Sequence, residues 1–416
     1  MQACLNILYV IAKYGADYSG NLIHQELGHA FQQRGHPFEV LAFASARELQ
    51  GQFTPSVEEN IRVYRAPAAG TFQTDAINTL TKPLLHYDRF AAAWWEVRHF
   101  FAARPSYDVI LVESAYPFGA LCALAAPHQM RLIVTAAGGD FIDSYETQYG
   151  YGRFRTARRL MRYAFQRASA VRVTTPLVRD RVLALGARPE QITLIPRNIA
   201  SYCFPPPDTL LPAWRQASCQ EFTRRYGIHH AHILLGVGRL LPIKGFDTLV
   251  RALPTIESIA GDTHLLLIGP NRADTPYGDY QNYLANLAAE CGVRDKITFT
   301  GAIPHHDMRT LLAAADLVAV PSVLEGMNKI AVEAAAVGTP AVVTRTSGIA
   351  DLMEKAEVGA IVEPNDARAL AATIGALLNH PARRAELGER GAVWAHQFSS
   401  PVIAAQLIEL CKRVST

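Results

Sequence analysis

Short runs of apolar, often β-branched residues recur along the chain with longer helix-patterned stretches between them: Leu5 to Ile11, Phe38 to Ala42, Val109 to Val112, Leu132 to Thr135, Ala170 to Thr174 and Ile192 to Ile195. Because these runs are apolar at consecutive positions, they predict strands buried on both faces, and strands separated by helices predict a parallel sheet. The alternation restarts at His232 to Val237, then His264 to Ile268, Ile297 to Thr300, Leu317 to Val320, Ala341 to Val343 and Gly359 to Val362. The expected fold class is α/β, with two consecutive doubly wound, Rossmann-like domains. The first covers 1–200 and the second 226–395. Between them, 201–225 is expected as a linker or peripheral insertion, since Cys203-Phe-Pro-Pro-Pro-Asp208 breaks both patterns. The closing segment, 396–416, is amphipathic from Val402 to Lys412 and is expected to pack back as a helix on the first domain. Ligands of open α/β sheets bind beyond the carboxyl ends of the strands, so two such domains facing each other are expected to form a cleft.

The candidate chemistry falls in loops that follow these strands. Glu325-Gly-Met-Asn-Lys-Ile-Ala-Val-Glu333 lies between the run ending at Pro321 and the strand from Ala341. Its first carboxylate is expected in a strand-to-helix loop and its second about two turns into the helix. At the junction, the backbone N–H groups of Met327, Asn328 and Lys329 suit an anion. A nucleotide-sugar, with hydroxyls at both ends and phosphates between, fits that spacing. Gly236-Val-Gly238-Arg239 through Lys244-Gly245 opens the second domain, and its two cations suit a diphosphate that glycines such as Gly238 let approach closely. Alone, the pair reads equally well as a solvated loop; beside Glu325 and Glu333, convergence is favoured.

Three further positions carry weaker signals. Gly20, in the loop before the helix from about Leu22 to Arg34, is a candidate phosphate contact, with a plain tight turn as the alternative. Asp140, at the end of the strand Leu132 to Thr135, is a catalytic candidate, with a helix cap as the alternative. Glu113, after Val112, is an acceptor-side candidate.

Composition narrows the classes. At 416 residues, 50% hydrophobic and with a formal net charge of +3, the chain is globular, too long for one core and too mildly basic to argue for nucleic acid. Six cysteines without CxxC spacing indicate a reduced, cytoplasmic protein. The amino end lacks the basic leader of a signal peptide, and no apolar run is long enough to span a bilayer. Neither an HExxH nor an Asp-x-Asp pair is present, so no catalytic metal is expected. Gly-x-Ser-x-Gly is also missing, as is a Gly-x-Gly-x-x-Gly after the first strand. The stretch Arg153 to Arg167 holds six arginines and no acid. A solvated helix face is the favoured reading, with an anionic membrane or a phosphorylated acceptor as the alternatives. The aromatic run Ala93 to Phe101 is expected in the core.

Gly238-Arg239…Lys244-Gly245, Leu267-Ile-Gly269, Phe299-Thr-Gly301 and Pro321-Ser-Val-Leu-Glu-Gly326 through Glu333-Ala-Ala-Ala-Val-Gly-Thr-Pro340 appear in this order. With them the chain resembles the retaining nucleotide-sugar glycosyltransferases of the two-domain GT-B fold (glycosyl transferases group 1, glycosyltransferase family 4-like). The resemblance implies that Arg239 and Lys244 hold the donor diphosphate, Glu325 the sugar hydroxyls and Glu333 the ribose. Backbone near Ile303 would meet the nucleobase, while Met327, Asn328 and Lys329 would offer N–H groups. It implies no cofactor, with the nucleoside diphosphate sugar as substrate and uridine the favoured nucleotide. The acceptor would be a glycan, a lipid-linked group or a small molecule. Two positions depart from the family pattern: Ala137 replaces a histidine common before the glycine-aspartate, and Arg197-Asn198 replaces an Asn-Gly. The expected reaction is metal-independent transfer of a sugar to an acceptor hydroxyl with retained configuration, in the cytoplasm or at the inner face of the membrane. The alternatives are an epimerase of the same fold, a phosphorylase-like enzyme and a non-catalytic glycan-binding relative.

Overall fold

A computed structural model describes residues 4–15, 21–43, 55–66, 72–104 and 107–415, the side chains of 72–75 excepted. The chain forms two compact units. Unit 1 comprises Met1–Asp143, Tyr149–Asn198 and Ser400–Thr416; unit 2 comprises Ser144–Gln148 and Ile199–Ser399.

Unit 1 is built on eight strands: β1 Ile7–Ile11, β2 Phe38–Phe43, β3 Ser56–Glu58, β4 Ile61–Ala66, β5 Val109–Val112, β6 Arg131–Ala136, β7 Ala170–Val173 and β8 Ile192–Leu194. They lie in the order β3-β4-β2-β1-β5-β6-β7-β8, all parallel except β3, which runs antiparallel to β4. The consecutive apolar positions of β1, β5 and β7 are buried throughout, as strands covered on both faces must be. Strands β3 and β4 were not expected. Arg62 and Arg65 interrupt the apolar run of β4, and only Ile61, Val63, Tyr64 and Ala66 are buried.

Helix Leu22–Gln33 and the closing helix Ser400–Ser415 pack together on this sheet. Leu27 and Phe31 from the first join Ile403, Leu407 and Leu410 from the second in one apolar core. Asn198 ties the two helices, its side-chain amide donating to the Ile23 carbonyl at 2.7 Å and to Ser400 Oγ at 2.9 Å. The aromatic run lies in helix Phe90–Ala103, where Val97, Phe100 and Phe101 are buried. Trp95 is an exception to the core expectation and faces solvent.

Unit 2 has six parallel strands: β9 His232–Val237, β10 Thr263–Ile268, β11 Ile297–Gly301, β12 Leu317–Val320, β13 Ala341–Thr344 and β14 Gly359–Val362, in the order β11-β10-β9-β12-β13-β14. The segment expected as a linker or insertion contains a helix, Leu211–Tyr226, with proline in its first turn and Gly227 closing it in the left-handed region. That helix packs on His305–Ala314. It sends Arg215 to the carbonyls of Val337 and Ala315, both at 3.0 Å.

Candidate functional site

In unit 2 the sheet grows outward from β9 through β10 to β11, then resumes on the other side of β9 with β12. Such a reversal is where open α/β sheets place a ligand crevice, beyond the carboxyl ends of the two neighbouring strands and so at the loops leaving β9 and β12. Their backbones touch: the Val323 N–H donates to the Ile243 carbonyl at 2.9 Å. Gly245, at φ +66°, makes that approach feasible, because a Cβ there would lie 2.0 Å from the Pro321 carbonyl oxygen. Gly269, at φ +145°, has the same relation to the Gly238 carbonyl, at 1.9 Å.

The two loops bring a cation and a carboxylate together across 81 positions of sequence. Lys244 Nζ stands 2.7 Å from Glu325 Oε1. The other oxygen of Glu325 accepts from Asn328 Nδ2 at 2.7 Å and from Ser322 Oγ at 3.0 Å. Asn328 also caps helix Lys329–Ala336, its Oδ1 accepting from the Ile330 N–H at 3.1 Å. The Glu325 backbone is pinned as well, donating to the Thr346 carbonyl at 3.1 Å and accepting from Gly348 at 2.9 Å. A carboxylate held by three donors keeps its orientation. Even so, the Lys244 and Glu325 side chains remain 16% and 21% exposed. Arg239 is exposed in the same loop as Lys244, next to Gly238, whose N–H donates to the Ile268 carbonyl at 2.8 Å.

Because the helix begins at Lys329, Glu333 sits just over one turn in and not about two. Its carboxylate is buried, and its charge acts on the Cys203 thiol and the His305 imidazole, opposed at both by that of Lys329. Burial pushes the Cys203 thiol up, and Glu333 pushes it further. Burial holds the His305 imidazole below its ordinary value, against the opposing pull of Glu333. Met327 is buried at the same junction, while Ile303, partly exposed, follows β11. Among the described residues, no three His, Cys, Asp or Glu side chains converge where they could hold a metal.

Unit 1 has its own reversal between β1 and β5. Here Glu113, just past β5, receives Arg172 Nη1 and Arg197 Nη2, each at 3.0 Å, with Glu113 and Arg172 side chains only 3% and 2% exposed. Burial alone would raise the Glu113 carboxyl, but the guanidiniums of Arg197 and Arg172 outweigh it and hold it below the usual range. Both carboxylate oxygens are engaged, so what this cluster presents at the strand ends is the partly exposed Arg197. Tyr9 packs beside Glu113 and joins His24 Nδ1 at 2.5 Å. Asp140 is buried too, accepting from the backbone N–H groups of Ala115 at 2.7 Å and Gly138 at 3.1 Å. Desolvation raises its carboxyl despite those bonds. This bonding is that of a loop-capping group. Gly20 lies outside the described residues.

Sequence reasoning missed Ser322, the side-chain role of Asn328, and the Arg172–Glu113–Arg197 cluster. An arginine at the third position of the apolar strand Ala170-Val-Arg-Val173 was the available signal, since a charge buried in a strand requires a partner.

Comparison with known proteins agrees with this architecture. Residues 220–394 match the family model for glycosyl transferases group 1, and residues 23–198 match the glycosyl transferase 4-like domain. The chain is 28% identical over 296 residues to a GDP-mannose-dependent alpha-(1-6)-phosphatidylinositol monomannoside mannosyltransferase of Mycolicibacterium smegmatis, covering 69% of this chain and 72% of the relative. Against a D-inositol 3-phosphate glycosyltransferase of Corynebacterium efficiens, it is 32% identical over 187 residues, 45% of this chain and 44% of the relative. Among solved structures, sucrose-phosphate synthase from Thermosynechococcus elongatus superposes with a TM-score of 0.77 at 22% identity, over 98% of both chains. Anabaena HepE in complex with UDP does so with a TM-score of 0.71 at 19% identity, over 98% of this chain and 99% of that one. Fold and sequence together make the protein an enzyme of the glycosyltransferase class, with the two doubly wound domains of the GT-B fold. Within that class, the chain belongs to the glycosyl transferases group 1.

Proposed function

We propose that the enzyme moves a sugar from a nucleoside diphosphate sugar to an acceptor hydroxyl, with retention of configuration and without a metal. The observation that carries this reading is the Lys244–Glu325 pair at 2.7 Å, set beside the Asn328-capped start of helix Lys329–Ala336. In this reading the donor diphosphate takes Lys244 and the exposed Arg239 as counter-charges, Gly238 lets it approach, and the N–H groups around Met327, Asn328 and Lys329 meet phosphate and sugar oxygens. Glu325, oriented by Ser322 and Asn328, accepts from sugar hydroxyls. Glu333 holds the ribose, and backbone at Ile303 borders the base.

Catalysis follows from where charge develops. As the bond from the anomeric carbon to the phosphate oxygen lengthens, negative charge grows on the departing diphosphate, and cations fixed in advance stabilise that state more than the ground state. Attack of the acceptor on the same face, its proton passing to the leaving phosphate oxygen, gives retention with no covalent enzyme intermediate. The acceptor class, a glycan, lipid-linked or small-molecule hydroxyl, is part of the proposal, as is action in the cytoplasm or at the inner membrane face. Uridine remains the favoured nucleotide; guanosine is the competing choice, on the strength of the GDP-mannose-dependent relative.

A thermal-shift series with UDP, GDP, ADP and their sugar conjugates tests the donor. A cognate nucleotide at about a hundred times its Kd adds ~2.7 kcal/mol of stability. If none of them stabilises the protein, the reading fails. Once a donor is found, the anomeric configuration of the product by NMR decides retention, and an inverted product rejects same-face transfer.

A further inference from the structure

We propose that unit 1 carries a docking surface for an anionic lipid bilayer, formed by helix Phe72–Leu85 and the amino-terminal half of helix Arg155–Arg167. Helices on a protein surface normally turn apolar side chains inward, and Phe72–Leu85 does not. Ile77, Leu80 and Leu84, spaced to share one face, are 48%, 80% and 59% exposed. The opposite face is used internally: Asn78 is buried and accepts from the Ala92 N–H at 3.2 Å, fixing the helix to its neighbour Phe90–Ala103.

The arginine-rich helix abuts the carboxyl end of this apolar stripe. Thr156 Oγ1 donates to the Leu84 carbonyl, and the His86 ring stacks on Phe154 with centroids 3.6 Å apart. Either side of Thr156 in sequence, Arg155 and Arg159 are exposed and take part in no ion pair or hydrogen bond among the described residues. Their neighbours are occupied, Arg158 at the Gly152 carbonyl and Arg162 at that of Leu185. A solvated basic helix alone explains the arginines. It does not explain three bulky apolar side chains left in water one helix away.

Apolar residues at helical spacing flanked by unpaired guanidiniums match the acyl boundary and the phosphate layer of an anionic membrane. Charge complementarity selects that occupant over a neutral apolar partner. Among the described residues no helix is long and apolar enough to cross a membrane, so the association proposed is peripheral.

The full-length chain should sediment with vesicles of phosphatidylcholine containing about a third phosphatidylglycerol, but not with phosphatidylcholine alone, and salt should weaken binding. Leu80→Asp with Leu84→Asp, and separately Arg155→Glu with Arg159→Glu, should each lower partitioning by about tenfold or more. Because these side chains are exposed, the thermal transition should stay in place. Brominated lipid should quench the added emission of Leu80→Trp, a tryptophan placed on the stripe itself, a readout that needs no charge variant. Equal sedimentation of all variants, or none by the unmutated chain, overturns the proposal. So does a concentration-dependent dimer abolished by Leu80→Asp with Leu84→Asp in protein that ignores vesicles. Vesicle binding that inorganic phosphate competes away, and that the leucine variants leave intact, would reduce the surface to an arginine anion site and likewise overturn it. None of these outcomes depends on the donor-binding reading.

Discussion

Both sheets end in a charged cluster at the point where strand order reverses, yet the two clusters differ in how much charge is left for a ligand. In unit 1, Glu113 is enclosed between Arg172 and Arg197, and Arg172 is further held by the Ile195 carbonyl at 3.0 Å and the Pro196 carbonyl at 2.6 Å. In unit 2, Lys244 and Glu325 form a shorter pair, 2.7 Å against 3.0 Å, but stay partly open to solvent. A buried pair that loses a partner leaves an uncompensated charge in a low dielectric, whereas a half-open lysine exchanges a carboxylate for a phosphate without leaving its loop. Glu113 and Glu325 share a position just past a strand and have donors on both oxygens; they differ in burial, with side chains 3% and 21% exposed.

The comparison is broken most directly at the closed cluster. Glu113→Ala should destabilise the fold by about 3–5 kcal/mol, read by urea unfolding, because two guanidiniums lose their counter-charge. A change under about 1 kcal/mol would show that the cluster is not the structural one. Next in size is the open pair. Lys244→Ala should lower turnover roughly 100-fold or more while shifting stability by less than about 1 kcal/mol. An unchanged rate would remove it from the diphosphate role. Smaller again, Asn328→Ala removes a helix cap and one of the three donors to Glu325. It should lower kcat/KM about tenfold, with ~1 kcal/mol of stability lost, and an effect on stability alone would confine Asn328 to capping.

The smallest effect concerns the amino-terminal edge of the unit 2 sheet, away from the crevice. His264 is buried, stacks on His230 at 4.5 Å and bonds Thr298 Oγ1 through Nε2 at 2.8 Å. Burial, with His230 and Lys296 adding to it, holds its imidazole down to about 4, against the opposing pull of Asp262 and Asp295. With the folded-state value below that of the unfolded chain, the unfolded state takes up the proton first. The stabilisation is therefore complete above the ordinary histidine value of 6.5 and declines as pH falls toward about 4. Replacing His264 with Gln should flatten that decline by on the order of 1 kcal/mol in pH-dependent melts. Turnover at neutral pH should be unaffected, which separates the two edges of the sheet.

Much of this molecule was legible from local patterns. All twelve expected strands are present, because a strand covered on both faces must be apolar at consecutive positions. Strands β3 and β4 escaped because Arg62 and Arg65 break the apolar run of β4 and its outer neighbour β3 is a three-residue edge strand; Arg62 is half-exposed beside Glu39 at 2.7 Å. In the site, Lys244 and Glu325 were legible as charged residues in loops after strands. Glu113 and Asp140 had the same signature, and nothing local distinguished them from Glu325. Their difference is burial, Glu113 between Arg172 and Arg197 and Asp140 over the Ala115 and Gly138 amides, and it arises only when the sheet is assembled. The exposed stripe of Ile77, Leu80 and Leu84 was likewise invisible, since an apolar helix face reads as core until its neighbours are known.

By itself the chain determined its two α/β repeats, the loops in which charges are concentrated, and the glycines that let those loops approach, because backbone period and φ preference act within a few residues. The tertiary structure decided which charges meet. Strands β9 and β12 become neighbours although two strands intervene in the chain, and only that adjacency brings Lys244 to Glu325. Burial then closed one cluster and left the other open, and burial is a property of the whole packed sheet that no local stretch of sequence specifies.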